Sequence, residues 1–518
     1  MKRVALVLLV LAVASVSLLM SCGYNSSSYY KPPSKLTQRV MVSQDVNSSF
    51  TFGGLRMVNG QNDTLARVGE LPAGSNPSRM VLSPTRATLL AFDPTSGSVQ
   101  IINTVTESNA GSITLPGPNS QTPGTTTSMV IPATTSIGYA ADPVAVSNLW
   151  TSPGAIVMLN LSSRSITAQI GVPGAQTVVS NPNGTQLLVF SSDSDSVSVI
   201  SPLLAVPPID QGCDTAPNSV CTVVPGFDRP VSAIFSGSTV YILNCGAECG
   251  GTQASVQTLD LGTMTPGTPV PVDAATAAFL SGSTLYVAGT SPTNNACTGQ
   301  TTAATTCGRL DVIDLSANPP TVSNSVVITD GYHDHIDLSI NGQLFVGARA
   351  CTNVGNVNNP SGEVRGCLAI FDTTKAGNTT ALIPPDNGDV TGLQSFTSYD
   401  KEYVVQGGNV RVYDTVTNTL KINSLTPTGT IPQLKQLVEI KLRIPWRPLQ
   451  GHNNRFHCRL RGAKCKGCQC RINNVYPRLN RLQIGHRSHA TRIMRMKLNR
   501  YLDRLLQRLN QLIGIIRR

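Results

Sequence analysis

The segment SNPNGTQLLVFSSDSDSVSVIS, residues 180–201, contains the pattern that decides the fold. A polar turn leads into a short apolar strand, a loop rich in Ser and Asp follows, and Val then alternates with Ser. Alternation with a period of two residues is typical of a β-strand with one buried face. Short strands separated by turns of Ser, Asn, Asp and Gly predict a meander of antiparallel strands.

The same theme recurs along most of the chain. Its second strands are spaced ~45–59 residues apart, and each unit holds four short strands, the third commonly ending in Asp or Asn. The clearest copies are residues 83–103, 180–201, 236–244, 281–289, 340–348 and 399–414. A four-stranded unit of this size cannot bury both of its faces alone, so the repeat predicts an all-β fold, a β-propeller whose blades stack around an axis. A β-sandwich needs fewer repeats, and a β-helix has a shorter period.

The repeats resemble the YVTN-type β-propeller family, with residues 180–201 as the best match and VRVYDTVTNTL, residues 410–420, matching the third and fourth strands. The resemblance covers residues 39–441 and implies the architecture, not an activity. We count eight units where the family usually has seven blades, so seven and eight both stay open. The segment QLVEIKL, residues 436–442, is expected to pair with the first unit and close the ring.

The N-terminus carries Lys2 and Arg3, an apolar run to Leu19, and then Met20-Ser21-Cys22. This pattern resembles the lipobox of bacterial lipoproteins, which implies that residues 1–21 are a signal peptide and that Cys22 is lipidated. Residues 22–38 then form a polar tether. We expect a protein anchored in the cell envelope by lipid, at the outer membrane of a diderm cell. The alternative is an ordinary secretory signal.

Charge separates the C-terminal segment from the rest of the chain. Residues 442–518 carry 19 of the 39 Lys and Arg residues and one of the 28 acidic residues. The remaining chain is mildly acidic, which argues against nucleic-acid binding by the propeller. Residues 442–518 are predicted to be a basic, Cys- and Arg-rich tail, either disordered or forming an amphipathic helix. A shifted reading frame is the competing explanation.

Eight cysteines lie within the repeats, and they form four close pairs along the sequence. In an exported protein such pairs predict four local disulfides. The expected bonds are Cys213–Cys221, Cys245–Cys249, Cys297–Cys307 and Cys351–Cys367. Metal binding by these cysteines is disfavoured because the pairs are far apart in sequence.

The segment from His333 to Asp337 is the most suggestive polar cluster. The two histidines lie just before an inner strand, IDLSI, whose start is expected to face the mouth of the propeller channel. In an extended segment His333, His335 and Asp337 project to one side, where they could hold a divalent cation or perform acid–base chemistry. A hydrogen-bonded loop is the simpler interpretation, and we predict no obligatory cofactor.

These features predict a non-enzymatic binding scaffold of the cell envelope. Its partners would be the membrane, through Cys22, and an envelope protein, polysaccharide or small ligand; we expect a monomer. Relatives on related propellers include lactonases, so a lactonase- or hydrolase-type enzyme with a site near His333 and His335 is the alternative. We assign no catalytic residue. The Asp residues that end third strands, Asp260, Asp314, Asp372 and Asp414, are predicted to accept backbone hydrogen bonds in turns.

Overall fold

A computed structural model gives the fold of most of the repeat region. It describes residues 34–44, 54–66, 70–119, 121–133, 135–148, 150, 152–201, 211–213, 220–297, 306–352, 354–355, 364–384, 388–396, 398–425 and 434–441. The predicted signal peptide with Cys22 and the predicted tail, residues 442–518, lie outside the described residues. The boundaries proposed for these segments therefore stay predictions.

The described strands form an eight-bladed β-propeller, in which the successive strands of each blade pair in antiparallel orientation. This confirms the predicted fold class and selects eight blades rather than seven. Blades 1 to 4 contain, from the inner strand outwards, β35 (Leu434–Lys441), β1 (Gln38–Gln44), β2 (Gly54–Asn59) and β3 (Thr64–Leu65); β4 (Arg79–Leu82), β5 (Thr88–Asp93), β6 (Ser98–Asn103) and β7 (Ser108–Thr114); β8 (Ser128–Val130), β9 (Ile137–Asp142), β10 (Ala155–Asn160) and β11 (Ser165–Gly171); and β12 (Ala175–Ser180), β13 (Leu187–Ser191), β14 (Ser196–Ile200) and β16 (Cys221–Pro225).

Blades 5 to 8 repeat this order, except that blade 7 has three strands among the described residues. They contain β17 (Pro230–Ser236), β18 (Thr239–Asn244), β19 (Ser255–Asp260) and β20 (Thr265–Pro266); β22 (Ala277–Ser281), β23 (Thr284–Gly289), β24 (Gly308–Asp314) and β25 (Thr321–Ile328); β26 (Tyr332–Leu338), β27 (Gln343–Arg349) and β30 (Leu368–Asp372); and β31 (Val390–Ser395), β32 (Lys401–Gln406), β33 (Asn409–Asp414) and β34 (Thr419–Ile422). Short additional elements are β15 (Gln211–Gly212), β21 (Val270–Pro271), β28 (Val354–Gly355), β29 (Val364–Arg365) and a 3-10 helix, Gly246–Cys249.

Polar turn residues explain why the chain reverses where it does. Between β12 and β13, the Asn181 side-chain oxygen accepts hydrogen bonds from the backbone N–H groups of Thr185 and Gln186, at 2.8 and 3.1 Å. The third-strand aspartates act as predicted: Asp260 Oδ1, for example, accepts the N–H of Gly262 at 2.7 Å. Such side-chain acceptors stabilise tight turns.

The hydrophobic core is divided into layers between neighbouring blades. Eight clusters of buried apolar side chains occupy the eight interfaces around the ring. The layer between blades 8 and 1, for example, combines Val40 and Val42 with Phe396 and Tyr403. Each blade therefore depends on both neighbours to bury its two faces, as expected for a repeat architecture.

The ring is closed by pairing the two ends of the repeat region within one blade. Strand β35 pairs antiparallel with β1, with Gln38 opposite Lys441 and Met41 opposite Val438. This confirms the closing strand predicted from QLVEIKL. Blade 1 is thus assembled from the beginning and the end of the propeller sequence.

All four predicted disulfides form. Cys245–Cys249, Cys297–Cys307 and Cys351–Cys367 connect residues between the second and third strands of blades 5, 6 and 7. Cys213–Cys221 joins Cys213 to the first residue of the outer strand of blade 4. The inner strands of a propeller all begin at one end of the channel, which we call the mouth. Because successive strands alternate in direction, the connections between second and third strands also lie at the mouth, and so do the first three disulfides. The fourth disulfide lies at the opposite end.

Candidate functional site

A cavity of ≈ 760 Å³ opens along the channel and reaches the mouth. Its wall combines charged, hydroxyl and apolar side chains from several blades, including Arg79, Arg229, Tyr332, Asp334 and Ile336. Cavities of this size accommodate small ligands, with a few polar groups fixing their orientation. The channel is therefore the first place to look for a site.

Strand β26 contributes the segment that the sequence singled out. The strand begins at Tyr332, so the histidines lie within it; the expectation that the inner strand starts at Ile336 was wrong. Tyr332 pairs with Arg349 and His333 with Ala348, but His335 pairs with Gly347, which leaves Asp334 as the extra residue of a β-bulge. A bulge redirects side chains that regular alternation would place on one face.

His333 points away from the channel into the contact with blade 6. Its exposed fraction is 0%, and a Cβ atom at Gly308 would lie only 2.8 Å from its Cε1 atom. Burial lowers the pKa of His333 to about 4, although the Thr329 backbone and two nearby aspartates oppose this shift. The imidazole is thus neutral and sealed from ligands at neutral pH.

His335 and Asp337 lie on the other face of the blade, towards blade 8. Asp337 Oδ2 accepts a hydrogen bond from the Ser395 N–H at 2.6 Å. The predicted grouping of His333, His335 and Asp337 on one side was therefore wrong, because the bulge at Asp334 reverses the alternation. Among the described residues, no group of three His, Cys, Asp or Glu side chains is arranged to hold a metal ion.

Asp334 itself forms the centre of a charged network at the mouth. Its Oδ1 atom lies 2.5 Å from His335 Nδ1, and its Oδ2 atom lies 2.5 Å from Arg349 Nη2. Burial raises the pKa of Asp334, but the hydrogen bond from His335 and the charges of His335, Arg349 and Arg79 together hold it below its usual value. Asp334 is therefore an anion whose two oxygens are both engaged.

Arg79 approaches this network from the opposite side of the channel. It is the first residue of β4, the inner strand of blade 2, and it is half-buried in the cavity wall. Burial lowers the pKa of Arg79, the charge of Arg349 lowers it further, and Asp334 and Tyr332 partly compensate. Two guanidinium groups thus share one neighbouring carboxylate.

Glu248 completes the group of charges. It lies in the 3-10 helix that the Cys245–Cys249 disulfide closes, and its Oε2 atom accepts the Thr290 N–H at 2.8 Å. Burial raises the pKa of Glu248 to about 7, although the hydrogen bond from Thr290 opposes the shift. The carboxyl group of Glu248 therefore exchanges its proton near neutral pH and influences the nearby Tyr332.

We call Arg79, Glu248, Tyr332, Asp334 and Arg349 the mouth cluster. Sequence reasoning found the neighbourhood of Asp334 but missed the other members. Two signals pointed towards them: Arg79 begins the inner strand RMVL, and Glu248 lies inside the closely spaced Cys245–Cys249 pair. Their proximity depends on the arrangement of blades 2, 5 and 7 around one channel, which no local pattern specifies.

The fold and cluster can be compared with known proteins. No family model and no curated protein sequence matches this chain. Among solved structures, the dihydro-heme d1 dehydrogenase NirN in complex with DHE matches with a TM-score of 0.51 and 11% identity, over 79% of this chain and 76% of that chain. The Dos1 propeller matches with a TM-score of 0.49 and 10% identity, over 68% of this chain and 85% of that one. A putative 6-phosphogluconolactonase from Bacteroides uniformis matches with a TM-score of 0.41 and 13% identity, over 78% of this chain and 100% of that chain.

Identities this low relate folds and not functions. The protein is an eight-bladed β-propeller, and its four disulfides indicate an oxidising, extracytoplasmic compartment. Within the described ranges, no helix has the length and hydrophobicity needed to span a bilayer.

Proposed function

We propose that this propeller is a binding protein of the cell envelope, anchored by lipid on Cys22, which takes a small ligand at the mouth of its channel. The observation that carries the proposal is the mouth cluster, in which charged and aromatic side chains from three blades meet beside a ≈ 760 Å³ cavity. Convergent polar groups at an open cavity are the usual composition of a ligand site.

The topology supports an orientation in which the mouth faces away from the membrane. Gln38 pairs with Lys441 at the end of blade 1 that is remote from the starts of the inner strands. Ser34 lies at that same end, where its hydroxyl group donates to Glu107 at 2.6 Å. The residues between Cys22 and Ser34 span at most roughly 40 Å when extended. A lipid on Cys22 would therefore attach through the end opposite the mouth and keep that end within this distance of the bilayer.

Native mass spectrometry of the full-length protein, purified in detergent from its own envelope, tests the binding function. We expect a bound small molecule on the wild type that is lost from Arg79→Gln. The control Arg164→Gln removes an exposed arginine and should retain the ligand. The proposal fails if the wild type carries no ligand, or if Arg79→Gln retains it as well as the control does.

A hydrolase is the second candidate, and Glu248 favours it. A carboxyl group with a pKa of about 7 is suited to general acid–base catalysis at neutral pH. This candidate places the acid–base chemistry at Glu248 instead of at His333, which is fully buried. This candidate requires that the protein hydrolyse a lactone or an ester and that Glu248→Gln abolish the activity. The control Glu70→Gln, which changes a glutamate paired with Arg56 outside the mouth cluster, should keep it. Equal rates in both variants would remove the enzyme candidate.

Lipid anchoring makes a separate prediction about Cys22. We expect the Cys22→Ala variant to lose incorporation of labelled fatty acid and to move from the membrane pellet to the soluble fraction, because one thioether-linked diacylglycerol supplies the anchor. Cys458→Ala, which changes a tail cysteine, serves as the matched control and should stay labelled and sedimentable. Continued labelling of Cys22→Ala would contradict the anchor.

A further inference from the structure

Arg79 is the member of the mouth cluster that lacks an acceptor. Among the residues that the structure describes, its guanidinium group donates no hydrogen bond, although the side chain is half-buried in the cavity wall. A guanidinium group has five N–H donors in a planar fork. No Arg79 nitrogen is among the fully buried side-chain atoms without a partner, so its donors remain accessible from the cavity, where an anionic acceptor would form charge-assisted hydrogen bonds with them.

The neighbouring carboxylates do not supply that acceptor. The two carboxylate oxygens of Asp334 already contact Arg349 Nη2 and His335 Nδ1. Glu248 accepts the Thr290 N–H, and burial favours its neutral form up to about pH 7 because its pKa is raised to about 7. Within the mouth cluster two arginines therefore face one fully engaged carboxylate, and the excess there is positive, while Arg229 and Asp193 elsewhere in the cavity wall carry opposite charges. This balance favours an anionic ligand.

Tyr332 provides an aromatic ring in the cavity wall for such a ligand to pack against. It is the first residue of the inner strand of blade 7, and 47% of its surface is exposed. The preceding Gly331 has φ of 100°, a conformation that favours glycine, and its carbonyl accepts the Thr290 hydroxyl at 2.8 Å. The ring is thus exposed on an anchored backbone, and flat groups stack on such rings in offset or edge arrangements.

The geometry points to a ring compound bearing a carboxylate as the ligand of the mouth cluster, with the carboxylate on the Arg79 fork and the ring against Tyr332. A planar carboxylate matches the guanidinium fork in two parallel hydrogen bonds. The ≈ 760 Å³ cavity has room for more than one ring. This inference rests on the proposed function, that the mouth binds a small ligand, and adds the chemical class.

Isothermal titration calorimetry of the full-length protein in detergent tests the class with three probes. Benzoate carries both features, benzamide has nearly the same shape without the charge, and inorganic phosphate has the charge without the ring. We expect benzoate to bind at least about tenfold more tightly than benzamide, since a hydrogen bond to a charged group is lost in benzamide. Phosphate should bind more weakly than benzoate because it has no ring to place on Tyr332.

Variants assign each contact. Arg79→Gln should weaken benzoate binding about 10- to 100-fold, and Tyr332→Leu about 2- to 10-fold. Arg164→Gln, the exposed control, should bind as the wild type does. Unfolding followed by circular dichroism must show the same transition in all variants. Equal binding of benzoate and benzamide, or wild-type binding by Arg79→Gln, would overturn the inference, and phosphate binding as tight as benzoate would overturn the ring requirement.

The outcomes separate this inference from the proposed function. If native mass spectrometry shows a ligand that Arg79→Gln loses, but benzoate does not bind, the mouth is a binding site and the carboxylate class is wrong. If benzoate binds through Arg79 but the native protein carries no ligand, the chemistry of the site is right and the role as a carrier of that ligand fails.

Discussion

Ending the chain after residue 433 is expected to abolish cooperative unfolding of the propeller. This truncation removes β35, the inner strand of blade 1, and leaves β1 without the partner that pairs with it from Gln38 to Gln44. It also opens the ring, so that the layers flanking blade 1 lose their support. The expected loss is comparable with the whole stability of a typical domain, roughly 5–15 kcal/mol. Calorimetry and protease sensitivity measure it.

Ending the chain after residue 441 is the matched control. That truncation removes residues 442–518 but keeps β35 in its ladder with β1. If the tail is separate from the propeller, as its composition predicts, the shorter chain unfolds at the temperature of the full-length protein. Indistinguishable unfolding of the two truncated chains would show that the ring does not depend on β35.

The second large effect is expected from Glu107→Ala. Arg39 in β1 is fully buried, and its Nη1 atom lies 2.5 Å from Glu107 Oε1 and 2.9 Å from the Thr104 carbonyl oxygen. Removing Glu107 leaves a buried guanidinium charge without its counter-ion, which costs about 3–5 kcal/mol. The free energy of unfolding, measured by denaturant titration with the disulfides intact, should fall by this amount.

Glu70→Ala provides the comparison for Glu107. Glu70 pairs with Arg56 in a partly exposed ion pair, whose side chains keep 22% and 24% of their exposure. Water solvates both groups when such a pair is broken, so the expected cost is about 1 kcal/mol or less. Equal destabilisation by the two substitutions would mean that the environment of Arg39 is more hydrated than its burial indicates.

The overall architecture was predictable because it depends on local and repeated features. Turns such as Asn181–Gln186 and Asp260–Thr263 use side chains that bind backbone N–H groups two to five residues away. The disulfides join cysteines 4 to 16 residues apart. Even the closing strand was visible, because a ring of repeats needs a partner for its first strand. Counting second strands gave eight units, but seven blades stayed open as the usual number of the family until the structure selected eight.

The site was less predictable because two non-local effects determine it. One extra residue, Asp334, shifts the register of β26 and sends His333 and His335 to opposite faces, and no composition signal marks that bulge. Arg79 and Tyr332 are far apart in sequence and meet only because blades 2 and 7 both start their inner strands at the mouth. The histidines were the predicted site residues, whereas the accessible positive charge at the mouth is on Arg79.

The most direct test of ligand binding at the mouth is a crystal structure of the full-length protein purified from its native source. The account predicts additional electron density in the channel cavity, within hydrogen-bonding distance of the Arg79 guanidinium group and against the Tyr332 ring. Density for a ligand at another face, with Arg79 in contact with solvent alone, would contradict it.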